Sequence, residues 1–443
     1  SFPKDPDFHG IAGFVLTEMK RYTQSIPHFA EASRMRPDNP QFAENLANAL
    51  MQTGRLDRAL AYAEKKREQF SQSIELVRVI DEIISKGDSW LEIIAFVSKS
   101  LESEPDNAQQ LAMRARAYQH IEFLAEATRD IKRAYALDPE DEEIALQMAT
   151  NLSETGDVNA CKAILSRIVE NNPLNVRALL KLSSIVVQED VPALLEYVEA
   201  ASAVAKHSKE QLAFAKAHLI RCRDGLAASM PAYAQANAKH HKIKPYDPAE
   251  AEQRFDNICS IFPVGCAPPS SALTDAPAPI FVVGQPRSGT TLMEMMLSAV
   301  QGVVGCGEFQ LGADLARPYF ANVQRFGTEE ALAYAHSYRR LMPPLPEGTG
   351  SFVDKMPNNY QRLGLLLSAF PNARVIDMLR DPRDVGLSAW IRLFPARAMR
   401  YANNLEAIAH SANLYRKYMK HWQQLFGERV MTVSYEALVE DPE

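Results

Sequence analysis

Four prolines in the first half of the chain share one register. Pro37, Pro105, Pro139 and Pro173 are separated by 68, 34 and 34 residues, so every interval is a multiple of 34. Small and apolar residues recur at matching positions before these prolines. In one unit they are Leu111, Ala115, Tyr118, Ala127 and Ala134. Because small residues let two antiparallel helices approach and proline ends a helix, the register predicts an α-solenoid of helix pairs.

A period of 34 residues with this pattern is that of the tetratricopeptide repeat, and we expect such an array over residues 1–255. Ser71 stands where a further proline would fall, the unit at 74–107 is degenerate, and residues 209–242 resemble a further helix pair. The second unit contains Leu46, Ala47, Leu50, Gly54 and Ala59. Such arrays form concave surfaces that bind extended peptides or proteins. A peptide or protein partner is therefore one interpretation, and a support that packs on the second domain or dimerises is the other.

A chain of 443 residues exceeds one ordinary core, which predicts two or three domains. The net charge of -7 leaves no basic excess for a phosphate backbone, so we predict no nucleic-acid partner. No apolar run is long enough to span a membrane. An odd number of cysteines without metal-type spacing favours a reducing, cytoplasmic location. They are Cys161, Cys222, Cys259, Cys266 and Cys306. The chain begins with serine rather than methionine, which leaves room for a trimmed targeting segment.

Proline, glycine and serine interrupt the helical pattern between residues 256 and 277, which we interpret as a linker to a second domain at 278–443. The segment from Ile280 to Gly284 is a short apolar run rich in β-branched residues, typical of a buried parallel strand. A polar loop follows, and an apolar helical stretch begins at Leu292.

A strand, a glycine-bracketed loop and a helix form a phosphate-binding geometry, because backbone N–H groups and the helix N-terminus converge on an anion. Hydroxyl groups and a guanidinium add donors to this loop. The candidate anion-binding residues are Gly284, Pro286, Arg287, Ser288, Gly289, Thr290 and Thr291. A nucleotide hydrolase would carry lysine where Thr290 stands. That lysine serves the β- and γ-phosphates, so its absence disfavours a nucleoside triphosphate.

The loop resembles the 5′-phosphosulfate loop of sulfotransferases that use PAPS (3′-phosphoadenosine-5′-phosphosulfate), whose fold is an α/β P-loop-like domain with a parallel sheet. A second predicted strand leads into Arg380 and Ser388, which match in type and spacing the family's residues for the 3′-phosphate. Arg392 lies four residues later, which would place it on the same face if this segment is helical, and it matches a basic residue of the protein-tyrosine sulfotransferases. Tyr435 matches a tyrosine that approaches the nucleotide, although a buried aromatic residue at a strand end is the alternative interpretation.

The resemblance also implies catalytic residues. Glu308 stands where tyrosylprotein sulfotransferases place a glutamate base, which would accept the proton of the acceptor hydroxyl. Lys355 stands at the family's active-site lysine, whose charge would stabilise the bridging oxygen as the S–O bond breaks. Arg287 would be the principal residue that binds the 5′-phosphate and sulfonate. A histidine base, as in many small-molecule sulfotransferases, would have to come from residues outside any motif, namely His336, His410 and His421.

Repeats joined to such a domain resemble a group of bacterial repeat-containing sulfotransferases. The prediction is sulfuryl transfer from PAPS, without a metal, to a hydroxyl of a protein tyrosine, a sugar or a small phenol, with adenosine 3′,5′-bisphosphate as the product. Family members continue past the motif near Glu443, so the resemblance implies a sulfotransferase domain that is incomplete at its C-terminus. Two alternatives stay open: a small kinase, and a repeat-based adaptor whose sulfotransferase domain is inactive.

Overall fold

The computed structural model describes residues 5–19, 21–52, 90–120, 123–205, 208–243, 245–271, 273, 277–309, 312, 315–316, 319, 326–342, 345–394 and 399–441. The chain divides into two compact units, residues 1–148 and 149–443. The predicted repeat positions Gly54, Ala59 and Ser71, and positions 74–89 of the degenerate unit, lie outside the described residues. No helix in the described part has the length and apolar content needed to cross a bilayer.

Helices make up the first unit and continue into the second. In the first they are Pro6–Glu18, Tyr22–Met35, Pro40–Gln52, Trp90–Ser103, Ala108–His120 and Leu124–Leu137, and Glu142–Glu154 crosses the division. Pro37, Pro105 and Pro139 each lie two residues past the end of a helix, at the position where proline prevents its continuation. The alanines at 115, 127 and 134 are buried at the contact between paired helices. The predicted helical repeats are thereby confirmed.

In the described residues of the second unit, seven further elements precede the sheet. They are the helices Val158–Asn171, Val176–Ser183, Val191–Val204, Lys209–Asp224, Leu226–Ile243 and Pro248–Ile261, with a short 3₁₀ turn at Gln188–Asp190. Phe214 and Tyr233 are buried with Trp390 and Ile408 in one apolar cluster. The side chain of Asn237 donates a hydrogen bond from Nδ2 to the Trp390 carbonyl at 2.8 Å. Within this unit, therefore, helices that precede the sheet share a core with elements that follow its fourth strand.

The sheet has five parallel strands: β1 (Ala278–Gly284), β2 (Val303–Gly305), β3 (Ser351–Asp354), β4 (Arg374–Leu379) and β5 (Val430–Ser434). Their spatial order is β2-β3-β1-β4-β5. Phe281, Val282 and Val283 of the central strand are fully buried, as expected for a parallel strand covered on both faces. The connecting helices are Thr290–Ser298, Thr328–Leu341, Leu363–Ala369, Pro382–Trp390, Leu405–Phe426 and Tyr435–Glu440, with 3₁₀ turns at Pro357–Arg362, Arg400–Asn403 and Gly427–Arg429. The predicted fold class, a helical repeat array followed by an α/β domain with a parallel sheet, is confirmed.

The segment just before β1 packs against the sheet domain. Phe262 belongs to the core of that domain and is 2% exposed. Ser271 donates from Oγ to the Ala369 carbonyl at 2.6 Å and from its backbone N–H to the Ser368 carbonyl at 2.8 Å. The linker assigned to 256–277 and the domain boundaries beside it remain predictions.

Substituting Gly364 with alanine is expected to destabilise the protein by about 1–3 kcal/mol, because the new methyl group would lie 2.6 Å from the ring of Phe262. Urea-induced unfolding followed by circular dichroism measures this change. The double variant Gly364→Ala/Phe262→Leu should recover part of the loss, since the smaller side chain relieves the overlap. A single variant as stable as the wild type would contradict this account of the packing.

Candidate active site at the carboxyl edge of the sheet

Residues predicted for the site follow each of the five strands at its carboxyl end. Arg287 lies in the loop after β1, Glu308 follows β2, Lys355 follows β3, Arg380 follows β4 and Tyr435 follows β5. Because all the strands are parallel, these ends meet at one edge of the sheet. Open parallel sheets bind ligands at this edge, where the strand order reverses beside the first strand.

The loop after β1 adopts a conformation that its two glycines permit. A Cβ at Gly284 would clash with Ser288 Oγ, and a Cβ at Gly289, whose φ is +101°, would clash with the ring of Tyr435. Arg287 has a φ of +81°, which residues with side chains rarely adopt. Such strained backbone occurs mainly at functional sites, where the surrounding structure enforces it.

Three guanidinium groups converge beside this loop. Arg287 donates from Nε to Ser388 Oγ at 3.0 Å, and Arg380 donates from Nη1 to the Arg287 carbonyl at 3.3 Å. The Arg380 guanidinium also lies 4.4 Å from the ring centre of Tyr435. Burial and the positive charges of Arg392 and Arg380 lower the pKa of Arg287. Like charges this close repel one another, so the arrangement favours an anion among them.

Two polar atoms near these cations are buried without a hydrogen-bond partner in the described part of the chain, Ser288 Oγ and Arg380 Nε. The carboxylate paired with Arg380 is that of Asp384, at 3.7 Å. Buried polar groups normally have partners, and a ligand with several anionic oxygens would satisfy both. The residues at this edge therefore fit a phosphate-bearing nucleotide.

The helix Pro382–Trp390 brings Ser388 to the loop. Asp381 caps this helix by accepting a hydrogen bond from the Arg383 backbone N–H at 2.8 Å, and proline occupies its first position. Gly386 allows close packing, because a Cβ there would lie 2.9 Å from Ile408. The cap and this contact set the direction of the helix, and so the position of the Ser388 hydroxyl opposite Arg287.

Two of the three predicted catalytic residues, Glu308 and Lys355, form an ion pair at the other side of the edge. Lys355 Nζ lies 2.8 Å from Glu308 Oε1. The lysine side chain is 8% exposed and that of Glu308 is 43% exposed. A second carboxylate oxygen, Glu294 Oε2, lies 3.9 Å from the same nitrogen. The lysine is therefore held between two carboxylates, and Glu308 is the one that an incoming hydroxyl can reach.

Glu294 was not anticipated from the sequence. It lies in the helix Thr290–Ser298, and its Oε1 accepts a hydrogen bond at 2.7 Å from the backbone N–H of Gly307, one residue before Glu308. Burial raises the pKa of Glu294, while Lys355 lowers it. A Cβ at Gly305 would lie 3.2 Å from the same carboxylate. The sequence signal that could have identified Glu294 is that it is the one charged residue of the helix Thr290–Ser298.

Asp354 is a second buried carboxylate that sequence reasoning missed. Its Oδ2 accepts hydrogen bonds from Tyr338 Oη at 2.6 Å and from Asn359 Nδ2 at 2.8 Å. Burial raises its pKa to about 6. Because Asp354 directly precedes Lys355, these bonds fix the end of β3 from which the lysine projects. The sequence feature that could have identified Asp354 is that a carboxylate ends the strand directly after the apolar residues Phe352 and Val353.

The remaining predicted residues occupy the same loop or lie apart from it. Pro286 is half-buried. Thr290 and Thr291 are the first two residues of the helix after the loop, and Thr290 is buried whereas Thr291 is exposed. The alternative histidine bases lie elsewhere. His336 is exposed, His410 contacts Tyr246 Oη at 3.0 Å, and His421 lies 3.6 Å from Cys259 Sγ. Neither of these two contacts involves the loop or the Lys355–Glu308 pair.

Comparison with known proteins gives matches to both parts of the chain. Residues 279–443 match a sulfotransferase family model, and residues 16–77 and 124–183 match a tetratricopeptide repeat model. An uncharacterized protein of Aquifex aeolicus (strain VF5) is 24% identical in an alignment 465 residues long that covers 97% of this chain. The chain spans 60% of the length of that relative.

Solved structures of tetratricopeptide repeat proteins also match in part. One from Parabacteroides merdae is 12% identical and covers 53% of this chain and 92% of its own, with a TM-score of 0.37. One from Thermus thermophilus is 17% identical, and the match covers 41% of this chain and 98% of the Thermus chain, with a TM-score of 0.33. Likenesses at this level carry no inference about function. The family matches do, and they identify this chain as tetratricopeptide repeats followed by a sulfotransferase-family domain at residues 279–443.

Proposed function

We propose that this protein transfers a sulfuryl group from PAPS to an acceptor hydroxyl and releases adenosine 3′,5′-bisphosphate. The convergence of Arg287, Arg380 and Arg392 beside the loop after β1 carries this proposal. A nucleotide with phosphates at its 3′ and 5′ positions would place anionic oxygens on both sides of that cluster. The sulfotransferase family match of residues 279–443 supports the same assignment.

PAPS, when bound, supplies the sulfuryl group. The backbone N–H groups of the loop, its hydroxyls and Arg287 would bind the 5′-phosphate and sulfonate. Arg380, Ser388 and Arg392 would bind the 3′-phosphate, which distinguishes this donor from ATP. Tyr435, whose ring lies against the Arg380 guanidinium, would contact the nucleotide.

On the acceptor side, Glu308 would accept the proton of the attacking hydroxyl through its exposed carboxylate. Lys355 keeps this carboxylate in place and would stabilise the oxygen on which charge develops as the S–O bond breaks. Glu294 supports both residues, because it accepts from Gly307 and attracts the lysine. The cations at the edge make a metal ion unnecessary in this scheme.

The acceptor class stays open among protein tyrosines, sugars and small phenols. The tetratricopeptide repeats would bind a peptide or protein partner, and the cytoplasmic location remains a prediction. A sulfate-transfer assay with radiolabelled donor against tyrosine peptides, glycans and phenols would identify the acceptor. Labelling of glycans alone would remove the peptide interpretation.

Binding of adenosine 3′,5′-bisphosphate without magnesium separates the proposal from its alternatives. A small kinase should bind this compound poorly, because its nucleotide lacks a 3′-phosphate. An inactive repeat-based adaptor could bind it yet transfer no label to any acceptor. Isothermal titration calorimetry and the transfer assay together distinguish the three.

The Arg287→Ala variant is expected to weaken binding of adenosine 3′,5′-bisphosphate by at least about 30-fold, because it removes a charged donor from the centre of the cluster. Isothermal titration calorimetry measures the change. Arg383→Ala is the matched control, since that exposed guanidinium pairs with Asp381 at 2.6 Å and does not face the loop. If Arg287→Ala bound the bisphosphate as tightly as the wild type, the loop assignment would be wrong.

The Glu308→Ala variant is expected to bind the bisphosphate normally and to lose about 10²–10⁴-fold in turnover, the usual contribution of a positioned base. The assay is transfer of radiolabelled sulfate to an accepted substrate, with donor binding measured on the same preparation. Glu329→Ala, in an exposed first turn of the helix Thr328–Leu341, serves as a control. Normal turnover in the Glu308 variant would exclude this residue as the base.

The Glu294→Gln variant is expected to lower kcat by about tenfold without changing bisphosphate affinity, because the side chain acts through Gly307 and Lys355 and does not face the loop. Steady-state kinetics with varied donor separate kcat from KM. Glutamine retains an acceptor for the Gly307 N–H, so Glu294→Ala should lose more activity than Glu294→Gln. Equal activity of all three proteins would contradict a positioning role for Glu294.

A further inference from the structure

A cavity of about 360 Å³ lies within the second unit, and no residue of the loop after β1 lines it. Its walls come from the helices Val158–Asn171, Val176–Ser183 and Lys209–Asp224, and from the chain that follows the helix Pro382–Trp390. Its volume is in the range of small-molecule sites. The repeat-type helices and the sulfotransferase-family domain both contribute side chains to it.

The floor of the cavity is apolar and preformed. Leu180 and Leu393 line it and pack against the buried cluster that contains Phe214 and Trp390. The backbone at Trp390 is held by the hydrogen bond from Asn237. An apolar body could therefore rest on this floor without rearrangement of the core.

The cavity is also cationic. Lys181 and Arg392 line it, and the side chain of neither forms an ion pair or hydrogen bond within the described part of the chain. Burial lowers the pKa of Lys181. The negative charge of Glu154 raises this pKa, although its carboxylate does not form an ion pair with the lysine. Two unpaired cations in a protein with a net charge of -7 favour a local anionic ligand.

His218 supplies a neutral polar group to the same wall. Its Nδ1 lies 2.7 Å from Tyr233 Oη. Burial, together with the charges of Arg221 and Arg392, lowers the pKa of His218 to about 4. The ring is therefore uncharged near neutral pH, and the positive charge that faces the cavity comes from Lys181 and Arg392.

Arg392 connects the cavity to the donor site. It lines the cavity and lies four residues after Ser388, whose Oγ accepts a hydrogen bond from Arg287 in the loop after β1. The guanidinium is exposed and has no carboxylate partner in the described residues, so it can turn toward an anion on either side. Two anions that share one cation compete for it, which couples the two sites negatively.

We propose that this cavity binds a small amphipathic anion, with its charged group between Lys181 and Arg392 and its apolar body on Leu180 and Leu393, and that its occupant weakens donor binding. The coupling rests on the proposed function, because it assumes that Arg392 binds the 3′-phosphate. The site itself rests on the cavity and its two unpaired cations.

The probe for this site is 8-anilinonaphthalene-1-sulfonate, an amphipathic anion whose fluorescence rises in apolar surroundings. We expect Lys181→Ala to weaken its binding to the full chain by about tenfold or more. Ser184→Trp, which fills the cavity without removing a charge, should weaken binding similarly. Lys162→Ala is the matched control, because that lysine lies outside the cavity and pairs with Asp190 at 2.5 Å. Circular dichroism checks that each variant is folded.

Calorimetric titration of adenosine 3′,5′-bisphosphate with and without saturating probe tests the coupling. We expect the probe to weaken bisphosphate binding about five- to tenfold in the wild type and to have no such effect in Lys181→Ala. Equal probe affinity in Lys181→Ala and wild type, or independent binding of the two ligands to the wild type, would overturn the proposal. If the wild type bound no bisphosphate even without the probe, the proposed function would be contradicted instead. The probe affinities of the wild type and Lys181→Ala would then still test whether the cavity binds an anion.

Discussion

Repulsion among guanidinium groups at the carboxyl edge of the sheet is the interaction around which the sulfotransferase-family domain is organised. Arg287 lies in the loop after β1 at a positive φ, Arg380 follows β4, and Arg392 follows the capped helix Pro382–Trp390. The packed core beneath the edge keeps them there against their mutual repulsion. An anionic ligand relieves this repulsion, so the fold is prepared for a phosphate-bearing molecule before one binds.

The edge is divided by charge. The side near β1 and β4 carries the three arginines, whereas the side near β2 and β3 carries the carboxylates of Glu294 and Glu308 around Lys355. A transfer reaction between an anionic donor and a hydroxyl needs this division, because the base must remain an acceptor and stay out of the cation cluster. Lys355 lies on the carboxylate side, where in the proposed reaction its positive charge would stabilise the leaving oxygen.

The helices before the sheet contribute more than a separate binding surface. Those around Phe214 and Tyr233 share a buried cluster with Trp390, two residues before Arg392. The position of this arginine consequently depends on packing against helices far away in the chain.

Periodicity and local chemistry were enough to predict the helical repeats and the succession of strand, loop and helix at Ala278–Gly284 and Thr290–Ser298. Pro37, Pro105 and Pro139 each follow a helix end, where the missing N–H of proline hinders continuation, and Gly284 and Gly289 allow the close approaches that the loop requires. The pairing of Glu294 with Lys355, the buried hydrogen bonds of Asp354 and the cavity beside Arg392 were decided by the tertiary structure alone. They join residues far apart in the chain, and nothing local to either partner specifies which distant side chain it will meet once the strands are ordered in the sheet.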